Sequence, residues 1–148
     1  MTAVRAAERA DLPTVLELIV EHAEYERAPA PGPGLAQRLD ALLFGPAARL
    51  HCLLAEHADE VIGYATCSPE ISTWDGWEYL HMDCLYLRPQ ARGHGIGQLL
   101  MDAVLHRARA LGMAQVQWQT PTWNEGAIRF YRRLGATAAD KIRFTQAL

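Results

Sequence analysis

Between residues 85 and 100 the chain reads Leu-Tyr-Leu-Arg-Pro-Gln-Ala-Arg-Gly-His-Gly-Ile-Gly-Gln-Leu-Leu. An apolar run leads into a basic, glycine-rich turn, and the turn opens a segment with helical apolar period. Glycines at 93, 95 and 97 tolerate positive φ and let a ligand approach the backbone closely. The N–H groups of a first helical turn have no helical acceptors and converge on one point. The helix dipole adds about half a positive charge there. Such a turn is an anion cradle, best matched by phosphate or pyrophosphate. Two well-known phosphate loops do not fit. A Walker loop ends in Gly-Lys-Ser/Thr, whereas Gly97 is followed by Gln98. A dinucleotide fingerprint needs GxGxxG after the first strand of a βαβ unit, and here the spacing is GxGxG, late in the chain. The plain alternative is a glycine-rich turn with no ligand. The strand before it, the Arg within it and the long apolar helix after it weigh against that.

The spacing Gln90-x-x-Gly93-x-Gly95 resembles the coenzyme A pyrophosphate signature of the GNAT N-acetyltransferase superfamily. Trp123-Asn-Glu-Gly-Ala-Ile-Arg-Phe-Tyr-Arg-Arg-Leu-Gly135 resembles that family's second signature, an Asn at a helix start followed by an aromatic pair and a closing Gly. Within the superfamily the chain is similar to the spermidine/spermine (diamine) and thialysine N-acetyltransferase branch. Glu24-Tyr-Glu26, Ser72-Thr-Trp-Asp-Gly76, His81-Met-Asp-Cys-Leu-Tyr-Leu87 and Arg92-Gly-His-Gly-Ile-Gly97 carry that likeness.

The resemblance implies acetyl-CoA as cosubstrate and direct attack by a primary amine in a ternary complex. The amine would be a polyamine, a thialysine-like amino acid or a related small molecule. It gives the coenzyme cradle to Arg92, Gly93, His94, Gly95, Ile96, Gly97 and Gln98 through their backbone N–H groups. Leu85, Tyr86 and Leu87 would pair with the pantetheine arm like an added strand, with an N–H near Leu85 as oxyanion donor. Asn124, Gly126 and Ala127 would contact the same arm. Tyr131 becomes the general acid for the departing thiolate; on its residues alone it reads as a core aromatic of an amphipathic helix. Asp83 aligns with a glutamate that accepts the amine proton, and being one methylene shorter it reads also as a structural carboxylate. Tyr25 and Glu26 match a substrate-lining pair at the rim, or else a solvated helix end. Trp74 and Trp77 would wall the amine pocket by cation–π contact or pack on the sheet. Ser72 stands where the polyamine enzymes carry an acidic residue.

Rival enzyme substrates are an amino acid, an antibiotic amine or a protein N-terminus. A catalytically silent coenzyme A sensor is the rival from another class, and the presence of Tyr131 and Asp83 argues against it. A nucleotide switch lacks its Lys-Ser/Thr.

These groups need elements to hold them. Residues 2–6 read as a strand. Asp11 reads as the N-cap of a helix in which Leu12, Val15, Leu16, Ile19, Val20 and Ala23 recur at helical spacing to about Glu26. The Pro/Gly loop 28–34 joins it to a second helix marked by Leu35, Leu39, Leu42 and Leu43. Strands follow at Leu50–Glu56, Val61–Ser68 and Glu78–Leu87, rich in aliphatic and aromatic residues. A helix from Ile96 stops at Gly112. Ala114–Thr120 is a strand, Asn124 caps a helix through Leu134, and Ile142–Gln146 is a last strand. The order β-α-α-β-β-β-α-β-α-β predicts a mixed α/β (α+β) fold of GNAT type. Its twisted, mostly antiparallel sheet carries helices on both faces.

Composition sets the outer bounds. The 148 residues fit one domain, 1–148, with half of them apolar. Fourteen basic against seventeen acidic side chains give a net charge of −3, which demotes nucleic-acid binding. Lys141 is the sole lysine, so the positive charge is almost wholly Arg, the better planar partner for phosphate and carboxylate. No apolar run reaches a membrane span, and the charged N-terminus has no secretory h-region; a cytoplasmic protein is the expectation. Cys52, Cys67 and Cys84 read as reduced thiols, and the six His show no metal-ligand spacing. The branch forms homodimers, and Ile142–Gln146 is the expected contributor to such a contact.

Overall fold

The computed structural model describes residues 1–148. One sheet of five strands in the order β1-β2-β3-β4-β5 forms its centre. The strands are β1 (Thr2–Ala6), β2 (His51–His57), β3 (Glu60–Ser72), β4 (Trp77–Leu87) and β5 (Val116–Trp118). The first four pair antiparallel as a meander, and β5 joins β4 parallel after a helical crossover. The helices are α1 (Leu12–Tyr25), α2 (Leu35–Phe44), α3 (Ile96–Ala110) and α4 (Glu125–Arg133). No helix is long and apolar enough to cross a membrane.

Alternation along β2 builds a core on each face of the sheet. Leu53 and Ala55 face a cluster with Ile96, Leu100, Met101 and Val104 of α3. Cys52 and Leu54 face a second cluster with Val15 and Leu18 of α1. The apolar period of α3 is therefore its buried stripe. The three thiols are free, with Cys52 and Cys67 buried. No three His, Cys, Asp or Glu side chains gather where they could hold a metal ion.

Asp11 stands at the N-cap position of α1, as expected, but its side chain makes no cap hydrogen bond to the helix. It lies in a 3-10 turn, Arg9–Asp11, where its carboxylate accepts from Glu8 N–H at 2.7 Å and from both terminal nitrogens of Arg5. The Arg5 pair claims the oxygens that a cap would need. The element order also stops one strand short, because residues 136–148 carry no regular structure. Ile142 and Phe144 are 80% and 88% exposed, and their alternation alone is not enough to make a strand.

Candidate active site

The site begins where pairing runs out. β5 is only three residues long, and its register on β4 covers Leu80 to Met82. β4 continues to Leu87 with β3 alone beside it. Residues 83–87 thus present a bare strand edge to the gap beyond β5. Asp83 sits at the point of divergence as a β-bulge: Met82 pairs with Cys67 and Cys84 with Thr66, and Asp83 has no partner. The bulge exchanges the two faces of β4. Leu80 and Met82 belong to the α3 core, whereas beyond the bulge Tyr86 belongs to the α1 core and Leu85 and Leu87 pack towards α3. Bulges of this kind re-aim side chains beside binding sites. The Asp83 carboxylate is largely exposed in the cleft, with His81 Nε2 3.8 Å from one oxygen and the Cys84 thiol donating at 3.7 Å to the other.

The gap between the strands is a cleft of about 640 Å³. The glycine-rich turn closes one end. Gly93 and Gly95 have φ of 80° and 77°, and a Cβ built on either would meet nothing within 4 Å. Both are glycine for backbone conformation, and both leave open space for a ligand. Gly95 is the N-cap of α3, whose first hydrogen bond runs from Leu99 N–H to Gly95 O, so the N–H groups of Ile96, Gly97 and Gln98 have no helical acceptor. The Gln98 side chain turns along the helix to Asp102 at 2.9 Å. Gly97 is small for packing: a Cβ there would stand 3.1 Å from Phe130 of α4. His94 does not border the cleft, and the Ile96 side chain lies in the core, so only their backbone faces the turn. These features suit a pyrophosphate, and the bare edge suits an extended amide-bearing arm.

The opposite wall comes from α4 and the end of β5. Asn124 caps α4, its Oδ1 accepting from Ala127 N–H at 3.2 Å, which leaves the amide NH2 as a spare donor. Gly126 and Ala127 border the cleft beside it. Tyr131 stands at the same wall, edge-on to Trp118 with ring centroids 5.1 Å apart. Burial first, and then the negative charge of Glu26 and the Tyr25 phenol, push its pKa up to about 12. A phenol so placed holds its proton through the neutral range.

The last turn of α1 completes the rim. Tyr25 and Glu26 border the cleft together with Asp83. Arg92 reaches across this end: its Nε donates to Leu87 O at 3.0 Å, and its guanidinium lies 4.5 Å from the Tyr25 ring centre. Trp74 is a correction. It occupies the β3–β4 hairpin turn, 97% exposed and away from the cleft, and Trp77 lies at the same hairpin. That turn is tied locally, Ser72 Oγ donating to Asp75 at 2.9 Å and Gly76 N–H returning to Ser72 O. A sequence resemblance aligns the hairpin without fixing where it points. Trp118, Gln119, Thr120 and His22 also line the cleft, without being expected there from the sequence. His22 carried a signal, since it lies four residues before Glu26 on one helix face.

The model of the Acetyltransferase (GNAT) family matches residues 14–136. The thialysine N-epsilon-acetyltransferase of Bos taurus is 32% identical over 141 residues, 90% of this chain and 82% of that protein. The D-amino-acid N-acetyltransferase HPA3 of Saccharomyces cerevisiae is 29% identical over 143 residues, 95% and 88% of the two chains. Among solved structures, a transcriptional regulator from Bacillus halodurans superposes with a TM-score of 0.83 at 21% identity, covering 99% and 100% of the two chains. An aminoglycoside acetyltransferase from an uncultured soil metagenomic sample, in complex with sisomicin, superposes with a TM-score of 0.82 at 20% identity, covering 99% and 96%. At these identities the structures speak to the fold alone.

Proposed function

The chain belongs to the GNAT acetyltransferase family and is an N-acetyltransferase, and from that premise we propose that it acetylates the primary amine of a small molecule from acetyl-CoA, by direct attack in a ternary complex. The carrying observation is the cleft itself, which sets an anion cradle, a bare strand edge and a buried phenol around one space. Its residues fit the coenzyme. The amides of residues 93–98 would hold the pyrophosphate, with Arg92 alongside. The edge of Leu85, Tyr86 and Leu87 would hold the pantetheine arm, with Asn124, Gly126 and Ala127 on the facing wall. When bound, acetyl-CoA supplies an activated acetyl thioester.

The chain's own groups then divide the proton traffic. An ammonium cannot attack, so a proton must leave it first. The Asp83 carboxylate, aimed into the cleft by its bulge, accepts that proton through a water. A backbone N–H near Leu85 on the bare edge donates to the carbonyl oxygen as charge grows there. Tyr131, kept protonated by its surroundings, donates to the departing thiolate. Tyr25 and Glu26 face the acceptor. The names of the bovine and yeast relatives support an amino-acid-like amine, and the polyamine resemblance supports an amine of higher charge. Residues 1–148 act in this reading as one catalytic domain.

A panel of primary amines with acetyl-CoA, followed by release of free thiol, tests the proposal. Turnover with at least one diamine or thialysine-like amine is the expected result. Binding of coenzyme without turnover on any amine would make the chain a sensor instead. We propose a homodimer as well, supported by exposed Ile71, Trp74 and Trp77 at the hairpin. Light scattering at micromolar concentration is expected to give twice the chain mass, and a monomer would remove this part.

A further inference from the structure

His22 borders the cleft but takes no part in the acetyl transfer derived above. It is 9% exposed, an uncommon place for an imidazole without a job in packing alone. Its Nδ1 lies 2.9 Å from Tyr64 Oη, and its Nε2 contacts the Glu26 carboxylate one helical turn on. The ring stacks on Tyr86 at 5.2 Å and meets Tyr64 edge-on at 5.8 Å. Burial pulls its pKa below the ordinary histidine value, against the opposing pull of Glu26 and Asp83. Near neutral pH it therefore carries one N–H.

The partners decide where that proton sits. An ionised carboxylate only accepts, so the N–H belongs on Nε2, facing Glu26. Nδ1 is then the acceptor and takes the Tyr64 O–H. Tyr64 is fully buried, and burial raises its pKa well above the usual phenol range, so that proton stays in place. A one-way chain results, from Tyr64 to His22 to Glu26. The faces around the imidazole are Glu26 from α1, Tyr64 from β3, and Asp83 and Tyr86 from β4. The arrangement works against stability in two respects. It desolvates an imidazole, and it places a carboxylate at the negative end of α1, where Glu26 is the C-cap. A helix end chosen for stability alone would carry a cation. Residues held against the local preference mark functional positions.

We propose that His22 is a positioning residue which, with its tautomer set by Glu26 and its Nδ1 held by Tyr64, fixes the Glu26 carboxylate in the cleft and thereby sets a preference for amines bearing a second positive charge. The proposal rests on Glu26 facing the acceptor, as in the function proposed above. Its distinct content is that Glu26 acts only while His22 holds it.

The test uses two probes of equal length, 1,5-diaminopentane and 1-aminopentane, with the full chain and bound coenzyme. Their Kd is measured by calorimetry and their KM and kcat by thiol release. His22→Leu is expected to raise Kd and KM for the diamine by about tenfold, the loss typical of a hydrogen bond to a charged group. It leaves kcat within about twofold and moves the monoamine by less than about twofold. His22→Gln, whose amide can still donate to Glu26, is expected to recover most of the diamine affinity. In a Glu26→Gln background His22→Leu adds nothing further, because its partner is already neutral. An equal loss for both amines, or a full additional loss on top of Glu26→Gln, overturns the proposal.

A second readout needs no turnover and no His22 variant. Long-range proton–nitrogen spectra of the wild type are expected to show His22 protonated at Nε2, and Glu26→Gln, whose amide can accept or donate, to mix the tautomers. A wild-type proton on Nδ1 overturns the proposal as well. Absence of thiol release with every amine would sink the acetyl-transfer reading, while calorimetry and the spectra still decide the role of His22.

Discussion

The two halves of β4 share one strand and differ in how many neighbours they have. From Leu80 to Met82 the strand lies between β3 and β5, with Leu80 and Met82 buried in the α3 core. From Asp83 to Leu87 it keeps β3, loses β5, and borders the cleft. The first half holds the fold together. The second leaves backbone groups unpaired, which a structure built for stability alone avoids. A bulge of one residue separates the two. The chemistry of this chain thus sits where the sheet gives up a strand's worth of hydrogen bonds, and a ligand arm is the natural replacement.

That contrast breaks most sharply at Tyr131, on the wall facing the bare half. Tyr131→Phe removes one hydroxyl and keeps the ring against Trp118, so kcat is expected to fall by roughly 10²–10⁴-fold with little change in melting temperature. A kcat within about threefold of wild type, on a substrate whose chemical step limits turnover, would return Tyr131 to a packing role. Leu80→Ala asks the opposite question of the paired half. Its side chain is fully buried, and truncation is expected to cost about 2–5 kcal/mol in denaturant unfolding. The folded fraction should keep its KM for coenzyme, and a rise there would couple the two halves. Gly95→Val sharpens the cradle's place in the bare half. It forces a β-branched residue to positive φ and fills space open to the ligand, so calorimetry is expected to show coenzyme affinity reduced by at least about tenfold. Wild-type affinity would show the cradle misplaced.

The smallest effect is on pH dependence. Burial pushes Cys52 up to about 12, Cys67 and Cys84 up to about 11, and Tyr131 up to about 12. Each stays protonated in the fold after the unfolded chain has begun to ionise, so unfolding releases protons at alkaline pH. Stability is therefore complete below the unfolded value of 9.0 for the thiols and declines as pH rises through the folded values. His22 acts at the other end. Its folded pKa is lowered, so its contribution is present above the ordinary 6.5 and is lost as pH falls. Melting curves between pH 5 and 10.5 are expected to decline at both ends, and His22→Leu to flatten the acid one. A melting temperature still rising above pH 9 would contradict the buried thiols.

Much of the architecture was legible because long apolar periods are. The stripe of Leu100, Val104 and Ala108 announces α3, and glycines followed by a helix announce the cradle. Alternation along β4 was legible too, but not the bulge, because a one-residue slip changes pairing and not composition. The bare edge was invisible for a similar reason. Ala114–Thr120 looks strand-like over its whole length, yet only Val116–Trp118 pairs, since a strand ends where its neighbour diverges. At the C-terminus, Ile142 and Phe144 show the right period yet pair with no strand. Asp11 has the right residue type for a cap, but Arg5, brought across by β1, takes its carboxylate. His22 is the instructive miss. A lone histidine on an apolar face reads as core until Tyr64, 42 residues away, is seen at its Nδ1.

The residues at the acceptor end, His22, Tyr25 and Glu26, come from adjacent turns at the end of a single helix, whereas the cradle is built from the turn that leads from β4 into α3. The two therefore answer to selection separately. A lineage could revise that helix end, diversify the amines it consumes and leave its coenzyme chemistry untouched. Inheritance of one half with drift in the other is what a donor site and an acceptor site on different elements permit.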